Sequence, residues 1–189
     1  WCRPWAPALW KDFAHHGDAL PDPMLRCVEP IIERPAFAEG YQREAESDFQ
    51  PLAWPAAADV FDAGRNYWLA TVRADGSPHA APVWGLMVDG AFCFSTAAES
   101  IKARNLTRDP RCSVQAAVGD QVVLFEGRAE PLAPEFAGGA GFLDRYEAKY
   151  HYRPRPEDMM GAAWKVVPTR VLLWNEQDML GTQTRYKFG

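Results

Sequence analysis

The residues best suited to chemistry lie in one short segment, 94–106, where hydroxyl and basic side chains are mixed with apolar ones. Within it Thr96 and Glu99 have the spacing of a capping box, which predicts a helix that begins at Ala97. The N–H groups of a first helical turn attract anions. Four side chains of this segment are placed to join them: Ser95, Thr96, Ser100 and Lys102. The segment therefore predicts a phosphate cradle.

Helical spacing limits how many of these side chains can meet at one point. Ser100 and Arg104 are four residues apart, and Lys102 and Asn105 are three apart, so the helix cannot aim all four at one anion. Arg104 is accordingly assigned to a second anionic group or to a salt bridge. The alternative for the whole segment is an ordinary capped surface helix with solvated basic side chains.

Other catalytic chemistries lack residues at the spacing they require. The four cysteines form no Cys-x-x-Cys pair, and His15-His16 has no further ligand in register, which argues against a metal site. Cys93 and Cys112 alternate with apolar neighbours and are interpreted as core residues. No serine occupies a Gly-x-Ser-x-Gly elbow, which argues against a hydrolytic triad. We expect no catalytic nucleophile and no general base.

Composition restricts the partners. The 189 residues are 48% hydrophobic and carry a formal charge of −5, which favours one soluble domain and argues against general nucleic-acid binding. The chain has no run of about 18 apolar residues and no signal-peptide pattern. We therefore expect a cytoplasmic protein with no membrane partner.

The chain divides into two parts. Residues 1–55 are rich in proline and lack a sustained helical or strand periodicity, and we interpret them as an N-terminal extension. Tryptophan is frequent there, which predicts an arm packed on the domain or on a partner subunit. Residues 56–189 are the predicted folded domain.

The domain is predicted to be mainly β with short helices, because Asp-Gly turns separate its β-prone runs. Strands are expected at 67–73, 78–88, 91–96, 111–118, 121–132 and 164–174, and helices at about 56–63, 99–107 and 134–150. Antiparallel strands without regular strand-helix alternation predict a small β-barrel with helices at its ends. Pro78 and Pro82 require their strand to lie on an edge, to carry a bulge or to face a ligand.

Several motifs occur in the order and spacing of a known family. They are Leu69-Ala70-Thr71-Val72, Asp75-Gly76-Ser77-Pro78-His79, Pro82-Val83-Trp84, Phe94-Ser95-Thr96, Ser100, Lys102-Ala103-Arg104-Asn105-Leu106 and Asp109-Pro110-Arg111. Through these motifs the run 68–130 resembles the flavin-binding split barrel of the pyridoxamine 5'-phosphate oxidase-like superfamily. The C-terminal Thr184-Arg185-Tyr186-Lys187-Phe188 resembles the terminal signature of its actinobacterial-type members.

The resemblance implies an antiparallel six-stranded split β-barrel of the FMN-binding type over 56–189. It implies an oxidoreductase that transfers hydride to or from a small organic substrate with FMN or the deazaflavin F420. Members of the superfamily are homodimers whose cofactor lies in a cleft at the subunit interface.

The resemblance also assigns residues to the cofactor. Those along the ring are His79, Pro82, Val83 and Trp84, those at the phosphate are Ser95, Thr96, Ser100, Lys102 and Asn105, and Arg185 reaches cofactor or substrate from the terminal strand. Arg104 remains assigned to a second anionic group of the cofactor or to a salt bridge. His79 is interpreted as a hydrogen-bond partner of the cofactor, with proton donation as the alternative.

Two departures separate this chain from true pyridoxamine 5'-phosphate oxidases. Ile101 stands where those enzymes carry a basic residue, and no Arg-x-His motif follows Trp174. F420 is favoured over FMN, because its carboxylate-rich tail would gain from a basic track, for which three arginines are available: Arg104, Arg108 and Arg111. The alternative function is a non-catalytic carrier or sensor that binds a flavin, haem or a lipid in the same cleft.

Overall fold

The computed structural model describes residues 30–42, 48–133, 139–159 and 163–188. The predictions about the tryptophans, histidines and cysteines of residues 1–29 lie outside these ranges, as does the first part, 134–138, of the helix predicted over 134–150. No helix within the described ranges is long and apolar enough to cross a membrane.

The described residues contain nine strands and six short α-helices. The strands are β1 (Ile31–Glu33), β2 (Tyr67–Val72), β3 (Pro78–Val83), β4 (Gly85–Val88), β5 (Ala91–Ser95), β6 (Arg111–Val118), β7 (Gln121–Pro131), β8 (Ala163–Asn175) and β9 (Thr184–Lys187). The helices are α1 (Glu39–Gln42), α2 (Trp54–Ala63), α3 (Ile101–Arg108), α4 (Ala140–Tyr150), α5 (Pro156–Met159) and α6 (Met179–Thr182), with a 3-10 turn at Glu176–Asp178.

The strands form one antiparallel sheet that makes a split barrel. Its order is β1, β9, β8, β7, β6, β2 and β3, while β5 pairs with β4 on one side and with the first residues of β8 on the other. Although β3 and β4 are consecutive, they do not pair within the described ranges, so the sheet stays open between them. The predicted mainly antiparallel β fold with short helices is confirmed, and β1 and β9 extend the six expected strands.

The predicted strand 78–88 is wrong in one respect, because it is broken at Trp84 into β3 and β4. The Tyr150 hydroxyl accepts the Gly85 N–H and donates to the Gly85 carbonyl, both at 2.8 Å. It therefore takes the backbone groups that a neighbouring strand would bond. A Cβ at Gly85 would lie 2.3 Å from the Phe92 ring, so this position needs glycine. β3 becomes an edge strand, where its prolines are tolerated.

Two hydrophobic cores lie on opposite sides of the β4–β5 hairpin. Phe92 and Phe94 point into the barrel core, whereas Ala91 and Cys93 face a second core beneath α4. Helix α4 contributes to this second core with Phe142, Leu143, Tyr146 and Tyr150. Because both faces of β5 are buried, its sequence is apolar almost throughout.

The described part of the extension lies along the C-terminal segment of the same chain. The Leu52 N–H donates to Thr184 Oγ1 at 2.9 Å, and the Tyr186 hydroxyl donates to the Leu52 carbonyl at 2.8 Å. Despite the lack of periodicity in 1–55, this segment contains β1 and α1, and α2 begins at Trp54 rather than at the predicted residue 56. Pairing of β1 with β9, rather than periodicity in its own sequence, produces the first strand.

Candidate functional site

Helix α3 and the turn before it form the predicted cradle. The helix begins at Ile101 rather than at residue 97, because residues 97–100 form a turn in which the Ser100 N–H donates to the carbonyl three residues earlier at 3.0 Å. Ser100 is the N-cap, and its Oγ accepts the Ala103 N–H at 3.2 Å. Thr96 is therefore not the cap that the sequence predicted. Its Oγ1 instead lies 3.2 Å from Ser100 Oγ.

The structure brings three predicted hydroxyls to the junction between β5 and α3. Ser95 ends β5, Thr96 follows it, and Ser100 caps the helix. The first-turn N–H groups of a helix have no intrahelical acceptor, and the helix dipole places partial positive charge there. The junction therefore has the donors and the polarity of an anion site.

Two side-chain cations of α3, Lys102 and Arg104, have no hydrogen-bond or ion-pair partner among the described residues. Neither the half-buried Lys102 nor the exposed Arg104 has an ion pair or side-chain hydrogen bond with any described residue. The other arginines of the predicted track differ from them: Arg108 donates to the Val72 carbonyl, and Arg111 is paired with Asp109 at 2.6 Å. Among the basic side chains of the predicted cradle and track, Lys102 and Arg104, the two nearest the cradle, are thus the ones without a partner among the described residues.

Asn105, which was predicted to bind phosphate, is buried and bonded to the barrel. Its side chain is only 4% exposed, and its Nδ2 donates to Thr71 Oγ1 at 3.0 Å. Thr71 is itself only 3% exposed and lies on β2. The Asn105 amide therefore ties α3 to the barrel wall.

The hydrogen bonds continue from Thr71 to His79 on β3. Thr71 Oγ1 lies 3.3 Å from His79 Nδ1, across a directly paired position of the two strands. The pKa of His79 is lowered, chiefly by burial and then by the positive charges of Arg73 and Lys102. His79 is thus a neutral imidazole near neutral pH, and the cradle cation Lys102 acts on it electrostatically.

The predicted ring residues of β3 do not share one face. His79 and Val83 alternate with Pro82, so their side chains point to opposite sides of the sheet. Val83 is 6% exposed and lies in the barrel core, whereas Pro82 is exposed beside Trp68. A ligand along this edge would meet the His79 side chain from one side and Pro82 from the other, and Val83 would offer only its backbone.

Trp84 is held rigidly where β3 meets β4. Its ring stacks on Tyr150 at a centroid distance of 4.6 Å and an angle of 8°, and its Nε1 donates to Asn66 Oδ1 at 2.9 Å. The Arg65 guanidinium carbon lies 5.3 Å from the Trp84 ring and 5.6 Å from the Tyr150 ring. Trp84 therefore forms a fixed, half-buried aromatic wall at the open side of the barrel.

Arg185 lies apart from the other predicted site residues within one chain. Strands β8, β7 and β6 separate its strand β9 from β2 and β3. Its Nη1 donates to Glu33 Oε1 at 2.9 Å, and Lys187 Nζ lies 2.8 Å from the same oxygen. Arg185 thus shares the single negative charge of Glu33, a residue of the extension, with Lys187.

Thr71, Asn66 and Tyr150 position the predicted residues His79 and Trp84, and this positioning role was not predicted from the sequence. Thr71 carried one usable signal, because it is a polar residue on the inward-facing side of an otherwise apolar strand. Tyr150 carried none, since its partner Gly85 lies 65 residues earlier in the chain.

Comparisons with known proteins agree with this geometry. The conserved hypothetical protein Rv2991 from Mycobacterium tuberculosis is 32% identical in sequence, with a TM-score of 0.58, and the match covers 69% of this chain and 89% of that one. An F420 reductase of 22% identity has a TM-score of 0.50, with 60% and 93% covered, which is a likeness of fold.

A curated relative also matches. The pyridoxine/pyridoxamine 5'-phosphate oxidase of Acidothermus cellulolyticus is 32% identical over 114 residues, which cover 56% of this chain and 46% of the relative. The chain therefore matches about half the length of that protein. The family model described as pyridoxamine 5'-phosphate oxidase matches residues 53–175, which include α3 and strands β2 to β8. Since this match spans more than half of the chain, the protein belongs to the pyridoxamine 5'-phosphate oxidase family.

Proposed function

We propose that the protein is an oxidoreductase that transfers hydride to or from a small organic substrate with a phosphate-bearing flavin-type cofactor. The observation that carries this proposal is the half-buried Lys102, which has no carboxylate partner within the described residues and lies just after the Ser100 cap of α3. A charged group placed this way is stabilised by a bound anion rather than by the protein itself.

The residues present fit a phosphate. Its oxygens would accept hydrogen bonds from the hydroxyls of Thr96 and Ser100, from first-turn N–H groups and from the Lys102 ammonium. The ring system would lie along the β3 edge between His79 and the Trp84 wall. When bound, the ring supplies the hydride chemistry, so the chain needs only to bind, orient and shield it.

F420 is the preferred cofactor in this proposal. Arg104 gives the cradle a second unpartnered positive charge, which the carboxylate-rich tail of F420 can use and a terminal phosphate does not need. Arg108 and Arg111 do not support this choice, because both side chains already have partners within the protein. Arg108 donates to the Val72 carbonyl, and Arg111 forms an ion pair with Asp109. The preference for F420 over FMN therefore rests on Arg104 alone and is small.

We also propose a homodimer with the cofactor at its interface. Trp68 is 55% exposed on the outer face of β2, between Pro82 of β3 and Gln115 of β6. Ala70, paired with Ala80 on the same face, continues this apolar strip. An exposed strip of this kind on a sheet face favours contact with a second copy.

Replacing Trp68 with arginine tests the dimer. The introduced charge would be buried in the interface without a partner, so light scattering should show a dimer for the wild type and a monomer for Trp68→Arg. If this variant remains a dimer, the interface must lie on another face of the protein. A monomeric wild type at micromolar concentration would overturn the dimer and its shared cleft.

The choice of cofactor is tested by titrating FMN and F420 side by side into the purified protein at low salt. We expect saturable binding of both, with F420 tighter and more sensitive to added salt. Tight FMN binding with no measurable F420 binding would reverse the preference. Binding of neither would overturn the proposed function.

A further inference from the structure

We propose that Thr71 is a positioning residue that keeps His79 in the tautomer with its proton on Nε2. Thr71 has one hydroxyl hydrogen to donate, and its oxygen already accepts the Asn105 Nδ2–H at 3.0 Å. Its hydrogen has two acceptors in reach, His79 Nδ1 at 3.3 Å and the His79 carbonyl at 3.5 Å. The shorter contact is the better hydrogen bond. In the other arrangement Nδ1–H would donate to the second lone pair of Thr71 Oγ1, and the Thr71 hydrogen would be left with the longer 3.5 Å contact to the His79 carbonyl. We therefore assign Nδ1 as the acceptor, and a neutral imidazole then carries its hydrogen on Nε2.

The charges around His79 favour a neutral ring, which the proposed tautomer requires. Two cations act on the ring, Arg73 of the hairpin and Lys102 of the cradle, and both disfavour the imidazolium form. No carboxylate of the described residues lies within ion-pair distance of His79 to oppose them. A neutral ring that accepts at Nδ1 is thus consistent with every charge placed near it.

The donor at the start of this series of hydrogen bonds is Asn105 of the cradle helix α3. Asn105 belongs to α3, Thr71 to β2 and His79 to β3, so one chain of side chains joins the three elements. Because both Asn105 and Thr71 are buried, the amide has no water to replace the hydroxyl as acceptor. A shift of α3 would therefore change the hydrogen bond between Thr71 and His79.

This arrangement deepens the proposed function, on which its ligand depends. An Nε2–H directed away from Thr71 is a hydrogen-bond donor for an electron-rich atom of a flat ring along the β3 edge. His79 would then bind the ring by donation and would not act as a cationic acid. Thr71 does not touch the ligand and acts only through His79.

The test uses cofactor-free protein with ¹⁵N-labelled histidine and long-range proton–nitrogen correlation spectra at neutral pH. Comparison with His79→Gln assigns the His79 signals. We expect an unprotonated Nδ1 and a protonated Nε2 in the wild type. In Thr71→Val the spectrum should move toward a mixture of tautomers, and Thr71→Ser should restore the wild-type pattern.

A protonated Nδ1 in the wild type would overturn the proposal without any variant. An unchanged tautomer in a folded Thr71→Val protein would overturn it as well, and Thr71→Ala gives the same comparison should the valine variant not fold. Since no cofactor is present, failure to bind FMN or F420 leaves this result intact and counts only against the proposed function.

Discussion

Two groups of basic side chains differ in whether a carboxylate of the described residues pairs with them. At the start of α3, Lys102 and Arg104 have no carboxylate partner within the described residues. On β9, Arg185 and Lys187 share Glu33 Oε1, at 2.9 and 2.8 Å. The first pair has positive charge available for a ligand, whereas the second fixes the extension to the sheet. Counting arginines and lysines in a sequence therefore does not identify an anion site, because their partners decide whether the charge is free.

The largest effect is expected at the cradle. Lys102→Ala should weaken binding of the phosphate-bearing cofactor by about 1.5–3 kcal/mol, roughly ten- to a hundredfold, because a charge-assisted hydrogen bond is lost. Calorimetry gives the affinity, and circular dichroism should show an unchanged fold.

Arg170→Ala is the matched control for this change. It removes the same charge from a side chain that is already paired with Glu126 at 2.5 Å on the surface. We expect its cofactor affinity to stay within about twofold of the wild type, since exposed ion pairs contribute little. Equal losses in both variants would mean that net charge, not the cradle, holds the cofactor.

Two substitutions of Ser100 distinguish its contribution to protein stability from its contribution to cofactor binding. Ser100→Ala should cost about 1 kcal/mol of unfolding free energy, because the Ala103 N–H loses its cap. Ser100→Asp should keep that stability, since aspartate is an equally good N-cap, and should still lose cofactor binding through repulsion of the phosphate. Denaturant unfolding and cofactor titration of the same two proteins measure both quantities. Strong binding by Ser100→Asp would contradict a phosphate at this position.

The smallest effect is expected at Glu33. Hydrogen bonds from Lys187 and Arg185 lower the pKa of this carboxyl in the folded protein. Its contribution to stability is therefore complete above the pKa of the unfolded chain and is lost as the pH falls through the folded value. Glu33→Gln should lower the melting temperature slightly at neutral pH and not at all in strong acid. An equal loss at both pH values would show that the ion pairs contribute nothing.

The strand pattern was predictable because its signals are local. Asp89 and Gly90 have φ values of 47° and 81°, which the tight turn between β4 and β5 requires, and Gly76 has a φ of 84° in the preceding hairpin. Every predicted strand begins within one residue of the observed position.

The remainder depended on contacts between distant parts of the chain. Strand β1 exists because β9 pairs with it, and the break at Trp84 exists because Tyr150 bonds Gly85. At the cradle the strand followed by a helix was predictable, but the cap was not. Thr96 and Ser100 are both good N-caps, and only the turn between them decides which one starts the helix.

The central claim is that Lys102 and the cradle bind the phosphate of the cofactor. The most direct test compares FMN with its phosphate-free form, riboflavin, in the wild type and in Lys102→Ala. We predict that loss of the phosphate weakens binding strongly in the wild type and little in the variant, a coupling of about 1.5–3 kcal/mol. The same ratio of affinities in both proteins would contradict the account.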